Sequence, residues 1–258
     1  MKLGWEDRSL KIKAAVLDMA GTTIADEIGG RPFVLSAYSR TFAPEGIELS
    51  HGELSEFRGL DKGQVVRDVL AARKGLKGGA LDSEGARLLD RFGKCCLELL
   101  DEVRPADGAR EAIGWLKGRG ILVSLASGLP QEIAAAMARA AGLDSAGLAD
   151  YVTTAERAGG GRPGPEMIND ALVRFRMLNE DVNRSRLSPD FDYGRVLKVG
   201  DTPADVREGL AAGAVTVAVS SGTHSAERLR EEGAPAVLSS IGEIPAFLES
   251  KFLAAGVD

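Results

Sequence analysis

Short apolar runs alternate with amphipathic segments through most of the chain, and this alternation constrains the fold more than any other feature. The pattern predicts strands over residues 121–126, 151–154, 196–199 and 215–219, and helices over residues 109–117, 130–141, 165–177 and 203–212. A further apolar run, KIKAAVL over residues 11–17, predicts a buried first strand. Strands that alternate with helices at this spacing form a parallel sheet covered by helices. We therefore predict an α/β fold with a Rossmann-like parallel sheet.

Residues 27–103 have a different pattern, which predicts helices and no strand. Apolar residues recur at helical spacing over residues 33–42, 61–73 and 82–100, with Asp82 as the expected N-cap of the third helix. We therefore predict an α-helical cap domain over residues 27–103. The core domain would comprise residues 1–26 and 104–258.

Composition and charge exclude several classes of function. The chain of 258 residues has a net charge of −6, which argues against nucleic acid or an anionic membrane as the main partner. It contains no run of 18 apolar residues, and residues 1–13 lack the apolar region of a signal peptide. The two cysteines, Cys95 and Cys96, are adjacent and are interpreted as reduced thiols of a cytoplasmic protein. The oligomeric state stays open, with a homodimer among the options.

The chemically informative residues follow the predicted strands. In open parallel sheets, ligands bind outside the carboxyl ends of the strands. Asp18, Ser127 and Asp201 stand there, and Arg162 lies in a loop before a helix. Asp18 could simply close its strand with an Asx turn, or it could act as a carboxylate nucleophile or metal ligand. The small residues of DMAGTT would let backbone amides approach an anion.

The segment VGDTPAD contains two carboxylates, Asp201 and Asp205, for which the sequence predicts different roles. Thr202, Pro203 and Asp205 resemble the start of a helix with a capping box, so Asp205 could serve only as a cap. Asp201 has no such role and would reach the crevice that Asp18 faces. Two carboxylates there would suit a hard cation such as Mg²⁺.

Two further segments could hold a phosphoryl group. Ser127 and Gly128 offer a hydroxyl and an N–H group at a helix start, although serine is ordinary at such a position. Arg162 in GGGRPGP could be a solvated surface residue, or it could neutralise phosphate charge.

Taken together, the segments DMAGTT, LASG, GRPGPEM and VGDTPADVREGLAAG resemble, in order, the four signatures of the haloacid dehalogenase (HAD) superfamily of hydrolases. The long gap after the first signature matches the subfamily with an α-helical C1 cap. The resemblance implies a Mg²⁺-assisted displacement at phosphorus, in which Asp18 attacks and forms an aspartyl phosphate. It further implies a set of ligands: Asp18, the carbonyl of Ala20, Asp201 and Asp205 for Mg²⁺, and Ser127, Gly128, Arg162 and the amides of Met19, Ala20 and Gly21 for the phosphoryl oxygens.

Ala20 departs from the pattern of most phosphatases of this family, which carry a second Asp there as general acid and base. The phosphonatase branch shows the same D-x-A-G-T pattern, and its cap lysine forms a Schiff base with an aldehyde substrate before the C–P bond breaks. Lys62 in RGLDKG stands at the similar position here. That branch has a histidine and a tyrosine where this chain has Val65 and Leu129, and this chain has no cysteine over residues 24–33. Lys62 could therefore form a Schiff base or merely hold the substrate.

Three functions follow from these residues. The first is a Mg²⁺-dependent, phosphonatase-like hydrolase acting on a small phosphonate or phosphate compound, with Asp18, Lys62, Ser127 and Arg162 as catalytic residues. The second is a phosphatase of a small phosphate monoester. The third, from another class, is a catalytically weak binding or regulatory protein on the same fold.

Overall fold

The fold is built on a six-stranded parallel sheet with strand order β5-β4-β1-β6-β7-β8. The computed structural model describes residues 12–28, 31–57, 60–144, 148–178, 193–222 and 224–253. The strands are β1 Ala14–Asp18, β2 Glu27–Ile28, β3 Arg31–Pro32, β4 Leu122–Ser127, β5 Tyr151–Thr154, β6 Val196–Gly200, β7 Val215–Val219 and β8 Ala236–Leu238. The predicted Rossmann-like α/β class is confirmed.

Helices cover both faces of this sheet and also fill the chain between β1 and β4. The helices are α1 Phe33–Phe42, α2 His51–Glu56, α3 Lys62–Lys74, α4 Gly78–Leu97, α5 Ala109–Gly118, α6 Gln131–Ala140, α7 Ala155–Ala158, α8 Glu166–Leu178, α9 Pro203–Ala212, α10 Ala226–Glu231 and α11 Ile244–Leu248. The first four helices occupy the stretch expected to form a cap. The division into a core domain and a cap domain at residues 26/27 and 103/104 stays a prediction.

Strand β1 lies at the centre of the sheet, and its position determines where the site forms. It pairs in parallel with β4 on one side and with β6 on the other, with Asp18 opposite Ala126 and Leu17 opposite Val199. Every residue of β1, β6 and β7 is buried, which explains their nearly continuous apolar sequences. The chain leaves β1 toward β4 and reaches β6 on the opposite side, so the loops after β1 and β6 diverge and leave a crevice between them.

The structure corrects the sequence analysis in three places. Residues 27–32 were expected to contain no strand, but β2 and β3 form a short antiparallel pair there. Helix α4 begins at Gly78 with Lys77 as N-cap, not at Asp82, because burial of Leu81 against the core outweighs the low helix propensity of Gly78 and Gly79. The short edge strand β8 was missed.

Two further predictions concern the surface and the loop after α8. Residues 179–194 were expected to form a polar loop; residues 179–192 lie outside the described residues, and Tyr193–Arg195 forms a 3₁₀ turn. Within the described ranges, no helix has both the length and the apolar sequence needed to cross a bilayer.

Candidate active site

Asp18 ends β1 at the centre of the sheet, and its side chain is only 8% exposed. The Thr23 hydroxyl donates to the Asp18 backbone carbonyl over 2.8 Å and fixes the turn that follows the strand. Burial raises the pKa of the Asp18 carboxyl to about 6, although the neighbouring Arg162 guanidinium acts in the opposite direction. At neutral pH Asp18 is therefore mainly a carboxylate that has lost most of its solvation, a state suited to nucleophilic attack.

Arg162 connects Asp18 to two other carboxylates. Its Nη2 lies 2.7 Å from Asp18 Oδ1, and its Nε lies 2.8 Å from Asp205 Oδ1 and 3.0 Å from Glu208 Oε2. Burial alone would lower the pKa of the guanidinium, but Asp205, Asp18 and Glu208 together raise it above its ordinary value. Arg162 is therefore a fixed buried cation of the site, which excludes the alternative of a solvated surface residue.

Lys198 is a second buried cation, which the sequence analysis did not single out. It lies on β6, and its Nζ is 2.9 Å from Asp205 Oδ1 and 2.7 Å from Glu208 Oε2. A charged residue inside the apolar run VLKVG was the signal that could have revealed it, because a strand buried on both faces excludes an unpaired lysine. Glu208 had no comparable signal, since an acidic residue on a helix is usually solvated.

Asp201 joins the same cluster from the loop after β6. Carboxylate oxygens of Asp18, Asp201 and Asp205 all lie within 4.8 Å of one another, as a shared cation requires. Thr22 donates its hydroxyl to Asp201 Oδ1 over 3.2 Å. The backbones of Gly21 and Gly222 approach so closely that a Cβ at either would lie 2.4 Å or 1.8 Å from Asp201 Oδ2, respectively. The carboxylate of Asp201 is thereby confined.

Asp205 caps α9, and it also lies in the buried charged cluster. Its Oδ2 accepts from the Thr202 N–H group while its own N–H group donates to the Thr202 hydroxyl, each over 3.2 Å, which completes the capping box of α9. Its other oxygen faces Arg162 and Lys198. Burial would raise the pKa of Asp205, but these two cations outweigh it and hold the pKa below its ordinary value.

The donor set and the charge of this cluster fit a divalent cation. Hard cations such as Mg²⁺ bind carboxylate oxygens, and the cluster offers several in one buried place. Among the described residues that form it, the cations Arg162 and Lys198 pair with three buried carboxylates, Asp18, Asp205 and Glu208, and Asp201 is a fourth buried carboxylate of the cluster. With all four ionised, two negative charges remain, and one divalent ion would neutralise them.

Lys62 and Asp18 line the same small cavity of about 20 Å³. It is the first residue of α3, where Asp61 caps the helix by accepting from the Gln64 N–H group over 2.7 Å. The Lys62 Nζ donates to the Leu60 carbonyl over 2.9 Å, and its backbone N–H group donates to the Gly128 carbonyl over 3.3 Å. The side chain is buried, so the lysine is held in the site rather than in solvent.

The other residues predicted for the phosphoryl group fall into two sets. Ser127, Gly128 and Ala20 line the cavity together with Asp18 and Arg162. The Ser127 hydroxyl oxygen accepts from the Leu129 N–H group over 3.1 Å, which leaves its proton free to point elsewhere.

The backbone amides of Met19, Ala20 and Gly21 were expected to point at the phosphoryl oxygens, but two of them have other partners in this conformation. The N–H group of Gly21 donates to the Ile24 carbonyl over 2.9 Å, and that of Met19 faces the Asp18 carboxylate. The tight turn that places Asp18 uses these donors itself. For the Ala20 amide, binding of a phosphoryl oxygen stays a prediction.

Comparison with known proteins places these residues in a family context. The family model for haloacid dehalogenase-like hydrolases matches residues 12–213, well over half of the chain. Phosphonoacetaldehyde hydrolase from Syntrophobacter fumaroxidans is 28% identical over 256 residues, which cover 95% of this chain and 85% of the relative. The enzyme of the same name from Lactiplantibacillus plantarum is 26% identical over 273 residues, with 93% and 96% covered.

Solved structures show the same fold. A hydrolase from Pseudomonas syringae superposes with a TM-score of 0.75 at 18% identity, covering 93% of this chain and 99% of the other. A phosphonoacetaldehyde hydrolase-like protein from Oleispira antarctica superposes with a TM-score of 0.73 at 23% identity, covering 94% and 93%. At these identities the superpositions establish the architecture alone.

Proposed function

This chain belongs to the haloacid dehalogenase-like hydrolase family, and from that premise we propose that it is a Mg²⁺-dependent, phosphonatase-like enzyme that cleaves a small phosphonate. One observation carries the proposal. Asp18 and the buried Lys62 line the same cavity, and Ala20 stands where a proton donor beside the nucleophile would be needed. An alkoxide leaving group needs that proton, whereas a carbon leaving group activated through a lysine does not.

The proposed reaction has two covalent stages. The Lys62 amine condenses with the substrate aldehyde, takes up one proton and releases water, which gives an iminium. A carboxylate oxygen of Asp18 then attacks phosphorus in line; the P–C bond breaks, and its electron pair passes into the iminium to give an enamine on Lys62. Water hydrolyses the aspartyl phosphate to inorganic phosphate, and protonation and hydrolysis of the enamine free the lysine and the aldehyde product. Lys62 is buried beside the nucleophile, so its amine would lie next to a substrate bound in the cavity.

The remaining residues of the cavity stabilise charge. Arg162 and the Ser127 hydroxyl face the space beside Asp18 and would hold the phosphoryl oxygens as negative charge spreads over them. Asp18, Asp201, Asp205 and the Ala20 carbonyl would hold Mg²⁺, which when bound neutralises charge between the nucleophile and the phosphoryl group.

A phosphate monoesterase is the second candidate, and specific residues favour it. The positions that carry a histidine and a tyrosine in the phosphonatase branch hold Val65 and Leu129 here, and both are buried apolar residues. Lys62 also donates to the Leu60 carbonyl, which an ammonium does readily. In this mechanism Lys62 is a cation that holds the substrate. A binding or regulatory protein, the third candidate, would release no phosphate at all.

Two measurements on the intact protein separate these candidates. With Mg²⁺ present, a panel of phosphonates and phosphate monoesters is assayed for phosphate release. The wild type is then treated with borohydride and an aldehyde phosphonate, and the peptides are analysed by mass. We expect phosphate and aldehyde from the phosphonate, loss of activity on trapping, and an adduct on Lys62.

Lys62→Arg is the matched variant, because it keeps the positive charge but forms no Schiff base under these conditions. We expect it to release no phosphate from the aldehyde phosphonate. If it stays active and the wild type gives no adduct, Lys62 only holds the substrate and the protein is a phosphatase. If no substrate of either class releases phosphate, the protein is not a phosphohydrolase.

The proposal also covers location and partners. The free, buried Cys95 and Cys96 fit a reducing compartment, and we place the enzyme in the cytoplasm with a small phosphorylated or phosphonate substrate as its partner.

A further inference from the structure

Glu208 and Lys198 form a pair of buried charges behind the candidate active site. Glu208 lies on α9 and Lys198 on β6, and both side chains are 0% exposed. The Glu208 Oε2 lies 2.7 Å from Lys198 Nζ and 3.0 Å from Arg162 Nε. The proposed reaction assigns neither residue a role, although burying two charged groups carries a large desolvation cost.

We propose that Glu208, supported by Lys198, is the positioning residue that aims the Arg162 guanidinium at the phosphoryl group. This inference rests on the proposed function, because it concerns how the phosphate-binding arginine is held. Glu208 itself does not line the cavity beside Asp18 and would not touch the substrate. It acts through Arg162.

The geometry of the guanidinium is the basis of this inference. A guanidinium is a rigid planar fork, so holding its Nε determines where the neighbouring Nη2 points. The Nε–H group donates to Glu208, and Asp205 forms an ion pair with the same nitrogen, whereas Nη2 contacts Asp18. When the substrate arrives, Nη2 must leave Asp18 for a phosphoryl oxygen, while Nε can remain where it is. Arg162 then exchanges one partner without reorienting.

The ion pair with Lys198 holds the Glu208 carboxylate in one position. Asp205 and Glu208 both contact the Lys198 Nζ, so the lysine bridges the two carboxylates that also pair with Arg162 Nε. The structure leaves room for the stem of the lysine: a Cβ at Gly209 would lie 3.0 Å from Lys198 Cγ and 2.3 Å from the Thr216 hydroxyl oxygen. A larger residue at position 209 would therefore press on Thr216 first and also crowd the lysine stem, without changing any charge.

The test compares Glu208→Gln with the matched control Glu232→Gln. Glu232 also pairs with two arginines, Arg207 and Arg228, but its side chain is 15% exposed and does not line the cavity beside Asp18. Each protein is assayed for kcat and KM on the best substrate of the panel, and for binding of orthovanadate, a phosphate-like oxyanion, by calorimetry with Mg²⁺. Thermal unfolding is followed in parallel, and binding is measured well below the unfolding transition.

We expect Glu208→Gln to lower kcat by about 100-fold, the scale of a small misplacement of a catalytic group. It should also weaken vanadate binding by about 10-fold in folded protein, the scale of one impaired hydrogen bond to a charged group. The control should match the wild type in both. A Glu208→Gln protein that only unfolds earlier, with wild-type kcat and vanadate affinity when folded, would overturn the inference, because Glu208 would then be structural.

A second variant distinguishes an effect on the orientation of Arg162 from an effect of the net charge of the cluster. Glu208→Gln combined with Lys198→Gln removes one negative and one positive charge, so the net charge of the cluster is unchanged. If Glu208 aims Arg162, this double variant stays as defective as Glu208→Gln; recovery of wild-type kcat would overturn the inference. The wild type keeps the two proposals distinguishable: if it neither releases phosphate nor binds vanadate, the proposed function itself fails.

Discussion

The confinement of Asp201 by two glycines yields a prediction that can be worked from distances. A Cβ added at Gly222 would lie 1.8 Å from Asp201 Oδ2 and 2.5 Å from its Cγ, and real Cβ atoms almost never approach within 3.0 Å. In Gly222→Ala the carboxylate must therefore retreat by about 1.2 Å or more. The space on the side of Gly21 is also tight, since a Cβ at Gly21 would lie 2.4 Å from the same oxygen.

A shift of this size is large for a metal ligand, since such sites tolerate deviations of about 0.2 Å. We expect Gly222→Ala to weaken Mg²⁺ binding and to lower kcat by about 100-fold, which corresponds to about 2.7 kcal/mol of transition-state stabilisation. The added methyl group should also cost about 1–3 kcal/mol of folding stability through overpacking, so the protein should remain folded at low temperature.

The assay is phosphate release as a function of Mg²⁺ concentration, with circular dichroism to establish folding. Gly114→Ala is the control, because Gly114 lies in α5 and a Cβ added there would have no heavy atom within 4 Å beyond its own helix and chain neighbours. Alanine at that position should stabilise the helix by about 1 kcal/mol. Wild-type kcat and wild-type Mg²⁺ affinity in folded Gly222→Ala would refute the reasoning that Asp201 is a confined metal ligand.

Three further predictions follow from the same structure. Asp18→Asn should abolish phosphate release while leaving the thermal transition nearly unchanged or higher, because it removes a buried charge but little volume; near-normal turnover would exclude the aspartyl phosphate. Because the Asp18 pKa lies near 6 without metal, protons should compete with Mg²⁺ below that pH and weaken its binding by up to about tenfold per pH unit, which calorimetry between pH 5 and 8 can measure; equal affinities at pH 5 and pH 7 would contradict this. The Tyr38 hydroxyl is buried without a hydrogen-bond partner among the described residues, so Tyr38→Phe should raise the free energy of unfolding by up to about 1 kcal/mol, and a clear loss of stability in urea would contradict this.

The sheet was predictable because its strands are buried on both faces. That environment demands continuous apolar runs, and such runs are visible in sequence for β1, β6 and β7. The edge strand β8 and the pair β2–β3 were not visible, since two or three residues carry no measurable period. The start of α4 was misplaced because the low helix propensity of Gly78 and Gly79 is a local property, whereas the burial of Leu81 is a tertiary one.

The positions of the candidate site followed from the same logic. Asp18, Ser127 and Asp201 stand at or just after strand ends, so the sequence could place them at one edge of the sheet. What it could not predict was the ionic network behind them. Lys198 lies on a strand and Glu208 on a helix, ten residues apart in the chain. They pair with each other, and Glu208 also pairs with Arg162, which lies 36 residues before Lys198.

Sequence by itself therefore determined the fold class, the alternation of the central strands with helices, and the candidate residues at the carboxyl ends of those strands, because these depend on local periodicity and on which residue types end a buried strand. Only the tertiary structure decided the state of those residues. Burial raises the pKa of Asp18, and three carboxylates surround Arg162. Asp205 both caps α9 and joins the cluster, and the turn after β1 consumes the Gly21 amide. Desolvation and close charge pairing are properties of neighbours that are distant in the chain, and no local pattern encodes them.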